Sequence, residues 1–113
     1  MRLDFSAMEE TVMPRFRGGE GTTYARMLSD GHNRIMRGRL EPGASIGSHT
    51  HTGSSEVIYI LSGTCRALCD GVEERLSPGQ CHYCPEGSAH SLVNDGGADL
   101  EYFAVVPQHG AGG

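Results

Sequence analysis

The sequence predicts an all-β protein, a sandwich or barrel of short strands. Turn signals recur at short intervals, the apolar runs between them stay short, and 17 glycines in 113 residues leave little room for long helices. The turn signals are Asp30-Gly31, Pro42-Gly43, Ser62-Gly63, Asp70-Gly71, Pro78-Gly79 and Asp95-Gly96-Gly97. Between them lie strand-like runs over Thr22–Leu28, Asn33–Glu41, Val57–Leu61, Thr64–Cys69, Gln80–Cys84, Ala89–Val93 and Leu100–Val106. Asp70-Gly71 is the strongest hairpin candidate, because a tight turn needs positive φ.

One helical turn is expected at the start. Ser6-Ala7-Met8-Glu9 has the capping-box form, with Met8, Val12 and Phe5 as a small apolar face and Pro14 as its end. Such a turn would cover one end of the barrel. After Pro107 the glycine-rich tail is expected to fray. No repeat or linker interrupts the chain, so residues 1–113 read as one domain with its core over about 20–107.

Nine Lys and Arg against 14 Asp and Glu give a formal net charge of -5. That balance argues against a nucleic-acid partner, which clustered basic charge would attract. No apolar run is long enough for a bilayer, and Met1-Arg2-Leu3-Asp4-Phe5 is not a signal peptide, so a cytoplasmic protein is expected. Cys65, Cys69, Cys81 and Cys84 then read as free thiols. Cys81 and Cys84 have CxxC spacing, but in a strand residues three apart face opposite sides, which favours small buried hydrophobes over a metal or redox pair.

The residues that carry chemistry are His49-Thr50-His51, Glu56 and His90. On a strand His49 and His51 point the same way, with Cβ atoms about 6–7 Å apart, within reach of one ion. Glu56 follows the polar link Thr52-Gly53-Ser54-Ser55 and opens the apolar run Val57-Ile58-Tyr59-Ile60-Leu61. A carboxylate there is costly unless something positive compensates it, and a metal would.

Two spaced motifs carry these residues. The first is Gly43, five residues, His49-Thr50-His51, four residues, Glu56, six residues, Gly63. The second is Gly79, five residues, Pro85-Glu86-Gly87, two residues, His90, three residues, Asn94. Together they resemble the paired motifs of the cupin superfamily, and every defining position is filled. The resemblance implies a double-stranded β-helix, or jelly-roll barrel, with one divalent transition metal (Mn, Fe, Ni, Cu or Zn) held by His49, His51, Glu56 and His90. Four protein ligands leave one or two positions open on such an ion, the mark of a reactive site.

It further implies a small-molecule partner and three functional classes. The first is a metal-dependent isomerase, decarboxylase, lyase or dioxygenase acting on a small organic acid. The second is a non-catalytic binding or sensing module. The third is a metal-free barrel resembling sugar epimerases, which the complete ligand set disfavours. Small cupins commonly dimerise through N-terminal strands, and Thr22–Leu28 suits that role.

Pocket residues are less determined. Arg37, Arg39 and Arg66 are candidate substrate contacts, since a guanidinium near the metal would hold a carboxylate in bidentate fashion. Met36, Gly38 and Leu40 on the alternate face of the same strand are the more natural interior, which would put Arg37 and Arg39 outside. Tyr59, His82 and Tyr102 are the acid–base candidates. His82 differs in strand parity from Cys81 and Tyr83, so one set faces inward, and the sequence leaves open which. His32 reads as a turn residue and His109 as part of the tail.

Overall fold

A computed structural model of the chain describes residues 1–110. It contains ten strands: β1 Thr11–Pro14, β2 Thr22–Ser29, β3 Asn33–Leu40, β4 Ser45–Thr50, β5 Glu56–Ser62, β6 Cys65–Cys69, β7 Val72–Leu76, β8 Cys81–Cys84, β9 Ala89–Val93 and β10 Leu100–Pro107. They form two antiparallel sheets, β1-β2-β3-β10-β5-β8 and β4-β9-β6-β7. This is the jelly-roll sandwich expected from the motif pattern. Among the described residues no helix is long and apolar enough to cross a membrane.

Alternation along the strands builds the interior. In β10, Leu100, Tyr102, Ala104 and Val106 are buried while the residues between them are half-exposed. In β5, Glu56, Ile58 and Ile60 point inward and Val57, Tyr59 and Leu61 outward. Ile58, Ile60, Leu100, Tyr102, Ala104 and Val106 join Leu40, Ile46, Leu76 and Leu92 in one core between the sheets.

Turn chemistry fixes the connections. Asp70 and Gly71 both have positive φ, 48° and 83°. That pairing makes the tight β6–β7 hairpin, as their sequence predicts. The four motif glycines Gly43, Gly63, Gly79 and Gly87 also have positive φ, between 82° and 89°. Asn94 is fully buried, and its amide nitrogen donates to the carbonyls of Leu40 and Ala98, each at 2.9 Å. Its place in the motif is therefore structural: it ties the end of β3 to the loop before β10.

The N-terminal segment departs from expectation. A single 3-10 turn spans Phe5–Ala7, capped by Asp4, whose side chain accepts from the Ser6 N–H. The Ser6–Glu9 capping box is not used. Thr11-Val12-Met13-Pro14 is instead an edge strand paired to β2, and Pro14 closes it where a missing N–H costs nothing. Strand β2, expected to exchange between two copies, is paired on both sides within one chain.

The start of the expected loose tail is fixed. Gln108 bridges to Ser54, the His109 N–H donates to Gly53 O at 2.7 Å, and the His109 ring meets Ser55 Oγ at 2.9 Å. Those backbone bonds anchor the chain past Pro107. Residues 111–113 of that expected tail lie outside the described residues.

Candidate metal centre

Strand β4 carries His49, and His51 follows directly after it. The turn at Pro85–Ser88 holds the His51 backbone: Gly87 N–H donates to His51 O at 2.7 Å, and His51 N–H to Ser88 O at 3.0 Å. His90 lies on β9 directly opposite His49. Glu56 opens β5 on the facing sheet. Three strand segments and two sheets thus converge on one point.

The converging atoms have defined spacing. His51 Nε2 lies 3.1 Å from Glu56 Oε1, His90 Nε2 lies 3.0 Å from the same oxygen, and the two nitrogens are 3.0 Å apart. His49 completes the group, with one ligand atom from each of the four residues within 4.8 Å of the others. Two donors bound at right angles to one ion, each about 2.1 Å from it, are separated by about 3.0 Å. The near-equilateral triangle of His51, His90 and Glu56 has that edge. Three imidazoles and a carboxylate also suit a borderline divalent ion by chemical type. The residues fit the metal that the motifs imply.

Second contacts aim the rings. His49 Nδ1 donates to Gly47 O at 2.8 Å, which leaves its Nε2 as the free lone pair. His51 Nδ1 meets Ser54 Oγ at 3.0 Å. Burial lowers the His49 pKa below its ordinary value and keeps the ring neutral, the form a ligand needs. Burial opposes ionisation of Glu56, but the hydrogen bonds from His51 and His90 outweigh it and hold the carboxyl at about 2. Glu56 therefore supplies a negative charge at neutral pH.

His49, His51 and Glu56 border a cavity of about 520 Å³, with His90 buried behind them. Its apolar wall is formed by Met13, Phe16, Met27, Met36, Ile46 and Val106, and Tyr102, Arg17 and Arg34 also line it. Tyr102 is 2% exposed. Its ring lies over Gly38, where an added Cβ would sit 2.3 Å from a ring carbon, so only glycine leaves β3 open to it. Burial, with Glu56 nearby, pushes the Tyr102 hydroxyl well above the usual phenol range. The phenol stays protonated near neutral pH, so it can donate a hydrogen bond but is not a general base.

Other sequence candidates lie elsewhere. Tyr59 is 42% exposed on the outer face, because its parity in β5 is opposite to that of Glu56. Arg37 and Arg39 share the outer face of β3 and border a separate surface depression. Arg39 is paired with Glu10 and stacked on Tyr24, and Arg37 faces Glu101. Arg66 is exposed and paired with Glu73. None of these four reaches the cavity. His82 does face inward, where its Nε2 lies 3.0 Å from His90 Nδ1, but it does not line the cavity.

Cys81 is exposed and Cys84 buried, so the CxxC pair splits across the strand as its parity requires. Burial pushes the Cys84 thiol up to about 12. All four cysteines are free.

Arg17 and Arg34 are the cavity residues that sequence reasoning missed. Arg34 was accessible to it, since it shares strand parity with Met36, Gly38 and Leu40. Arg17 sits in a 3-10 turn at φ 56° and carries no periodic signal.

A two-sheet β-barrel with three imidazoles and a carboxylate converging beside a cavity defines a jelly-roll protein with a candidate metal site. A family model described as a cupin domain matches residues 36–106, and the chain belongs to the cupin family. It is 36% identical over 96 residues to an oxalate-binding protein of Thermotoga maritima, covering 80% of this chain and 79% of that one. A solved Thermotoga maritima structure, described as a predicted oxalate decarboxylase, superposes with a TM-score of 0.90 at 30% identity, covering 96% of this chain and 99% of that one. A sugar phosphate isomerase of the cupin superfamily from Silicibacter pomeroyi shares the fold at a TM-score of 0.77 and 24% identity, covering 96% and 76%.

Proposed function

We propose that the chain is a single-unit, metal-dependent enzyme acting on a small carboxylic acid, with His49, His51, Glu56 and His90 as the protein ligands. The observation that carries this reading is a donor cluster whose His49, His51 and Glu56 border a cavity that Arg17 and Arg34 also line. A bound divalent metal supplies a Lewis acid that polarises a carboxylate or carbonyl oxygen placed on it. Arg17 and Arg34 are positioned to hold the negative charge of such an acid. Tyr102 would donate a hydrogen bond to such an acid from the inner wall, and Met13, Met27 and Met36 make much of that wall apolar.

The oxalate-binding relative supports a dicarboxylate as the first ligand to test, and decarboxylation as the first reaction. Its name equally supports binding without turnover, as does the lack of a free base among the cavity residues. Calorimetry of manganese-loaded protein with oxalate, followed by larger 2-oxo and hydroxy acids, tests the reading. We expect binding that disappears on metal removal, and formate or carbon dioxide release if the site turns over. Equal binding with and without metal, or none across the panel, would contradict it.

A second copy of the chain is the proposed partner for the outer face of the larger sheet. Leu28, Ile35, Val105, Val57 and Tyr83 stand in one cross-strand row, and Tyr59 and Leu61 lie beside it. Val57, Tyr59, Leu61 and Tyr83 are 36–58% exposed, a concentration of apolar surface suited to a self-complementary two-fold contact. Light scattering at micromolar concentration should give twice the 12.1 kDa chain mass. A species of single-chain mass would contradict this pairing. The four free thiols support a reducing compartment, the cytoplasm.

A further inference from the structure

We propose that His82 and Glu74 form a positioning relay behind the metal centre, which fixes His90 as an Nε2 ligand and strengthens it. The inference rests on the reading of His90 as a metal ligand. His82 is 1% exposed, and both of its ring nitrogens are engaged. Its Nε2 lies 3.0 Å from His90 Nδ1, and its Nδ1 lies 2.5 Å from Glu74 Oε1.

Ring geometry identifies the His82–His90 contact. The two planes are within 15° of parallel, yet their centroids are 5.2 Å apart. That separation equals the 3.0 Å nitrogen contact plus one ring radius at each end. The rings therefore meet edge to edge in nearly one plane, which is an N–H···N hydrogen bond and not a face-to-face stack.

In the metal-loaded site, where His90 Nε2 is a ligand and carries no proton, one proton arrangement satisfies these contacts. A carboxylate only accepts, so Glu74 places the His82 proton on Nδ1. His90 then has its one proton on Nδ1 and donates it to His82 Nε2. His90 is left with its lone pair on Nε2, the nitrogen in the donor triangle. A hydrogen-bonded partner behind a ligand imidazole fixes its tautomer and orientation and raises its basicity. Here that partner is a second imidazole, and the carboxylate stands one residue further out.

The relay also couples the site to the sheet packing. Glu74 comes from β7 and His90 from β9 of the smaller sheet, while His82 comes from β8 of the larger one. His90 is thus aimed by a residue that holds its place only when the two sheets are closed on each other. At the far end the Glu74 side chain is 48% exposed, so the chain of contacts runs from solvent to the ligand ring. Neither His82 nor Glu74 lines the cavity, which makes them positioning residues and not catalytic ones.

Zinc alone, added to the full chain, is the probe. In the zinc-loaded protein, long-range ¹H–¹⁵N spectra should show both His82 and His90 protonated on Nδ1. Chelator competition should show His82→Leu losing about 10- to 100-fold in zinc affinity. His82→Gln, whose amide oxygen can accept the same His90 proton, should recover most of that loss, and Glu74→Gln should lose less than His82→Leu. His82 protonated on Nε2, or a folded His82→Leu variant within twofold of wild type, overturns the relay and leaves the metal centre standing. Wild-type protein that takes up no zinc overturns both. Should His82→Leu fail to fold, the wild-type spectrum and His82→Gln carry the test.

Discussion

His51→Ala should lower affinity for a divalent transition metal by more than about 100-fold, beyond the loss that partners of a ligand ring produce. His51 supplies two of the three short edges of the donor triangle, 3.1 Å to Glu56 and 3.0 Å to His90. Its removal leaves a carboxylate that is only 7% exposed with a single imidazole beside it. Neither Ser54 nor Gln108 nearby can replace a nitrogen ligand for a borderline ion. Elemental analysis of untagged protein, combined with chelator competition, checks this. One equivalent of metal retained by the variant would mean that the ligands are misassigned.

Gly47→Ala should destabilise the fold by about 3 kcal/mol and also weaken metal binding. A Cβ at position 47 would lie 2.1 Å from Arg17 O and 2.8 Å from Gly19 N, and one at Gly19 would lie 2.1 Å from Ser45 O. These neighbours are backbone atoms, so no rotamer change relieves the overlap. The two glycines let the 3-10 turn at Phe16–Gly18 lie directly against β4. Gly47 falls where the β4–β9 register shifts between Ile46 and His49, and its carbonyl fixes the His49 ring at 2.8 Å. Forcing the turn away therefore disturbs a ligand as well as the packing. Urea unfolding with and without metal measures both effects. Gly97→Ala, with no neighbouring atom within 4 Å, is the control and should change little. A Gly47→Ala protein as stable as that control would contradict the close approach.

Legibility of the site followed spacing. His49, His51, Glu56 and His90 could be read because strand parity and two fixed-offset motifs placed them together before any contact was known. Asp70-Gly71 could be read because its turn type demands those residues. The strand β1 was hidden by its brevity and by Pro14, which looks like a helix stop as much as an edge-strand end. Strand β7 was hidden by Glu73, Glu74 and Arg75, charges that suit an exposed edge but blur alternation. Burial of Met36, Gly38 and Leu40 placed Arg37 and Arg39 outside, and the same parity brings Arg34 to the cavity wall. Glu74 could not be read at all, since its contact with His82 arises from the closing of two sheets.

Crystals of protein loaded with manganese or zinc, with data collected at the metal's absorption edge, test the central claim most directly. One anomalous peak per chain is expected, bonded to His49, His51 and His90 through Nε2 and to Glu56 through a carboxylate oxygen. A peak bound elsewhere, or four side chains turned apart with no peak among them, would contradict it.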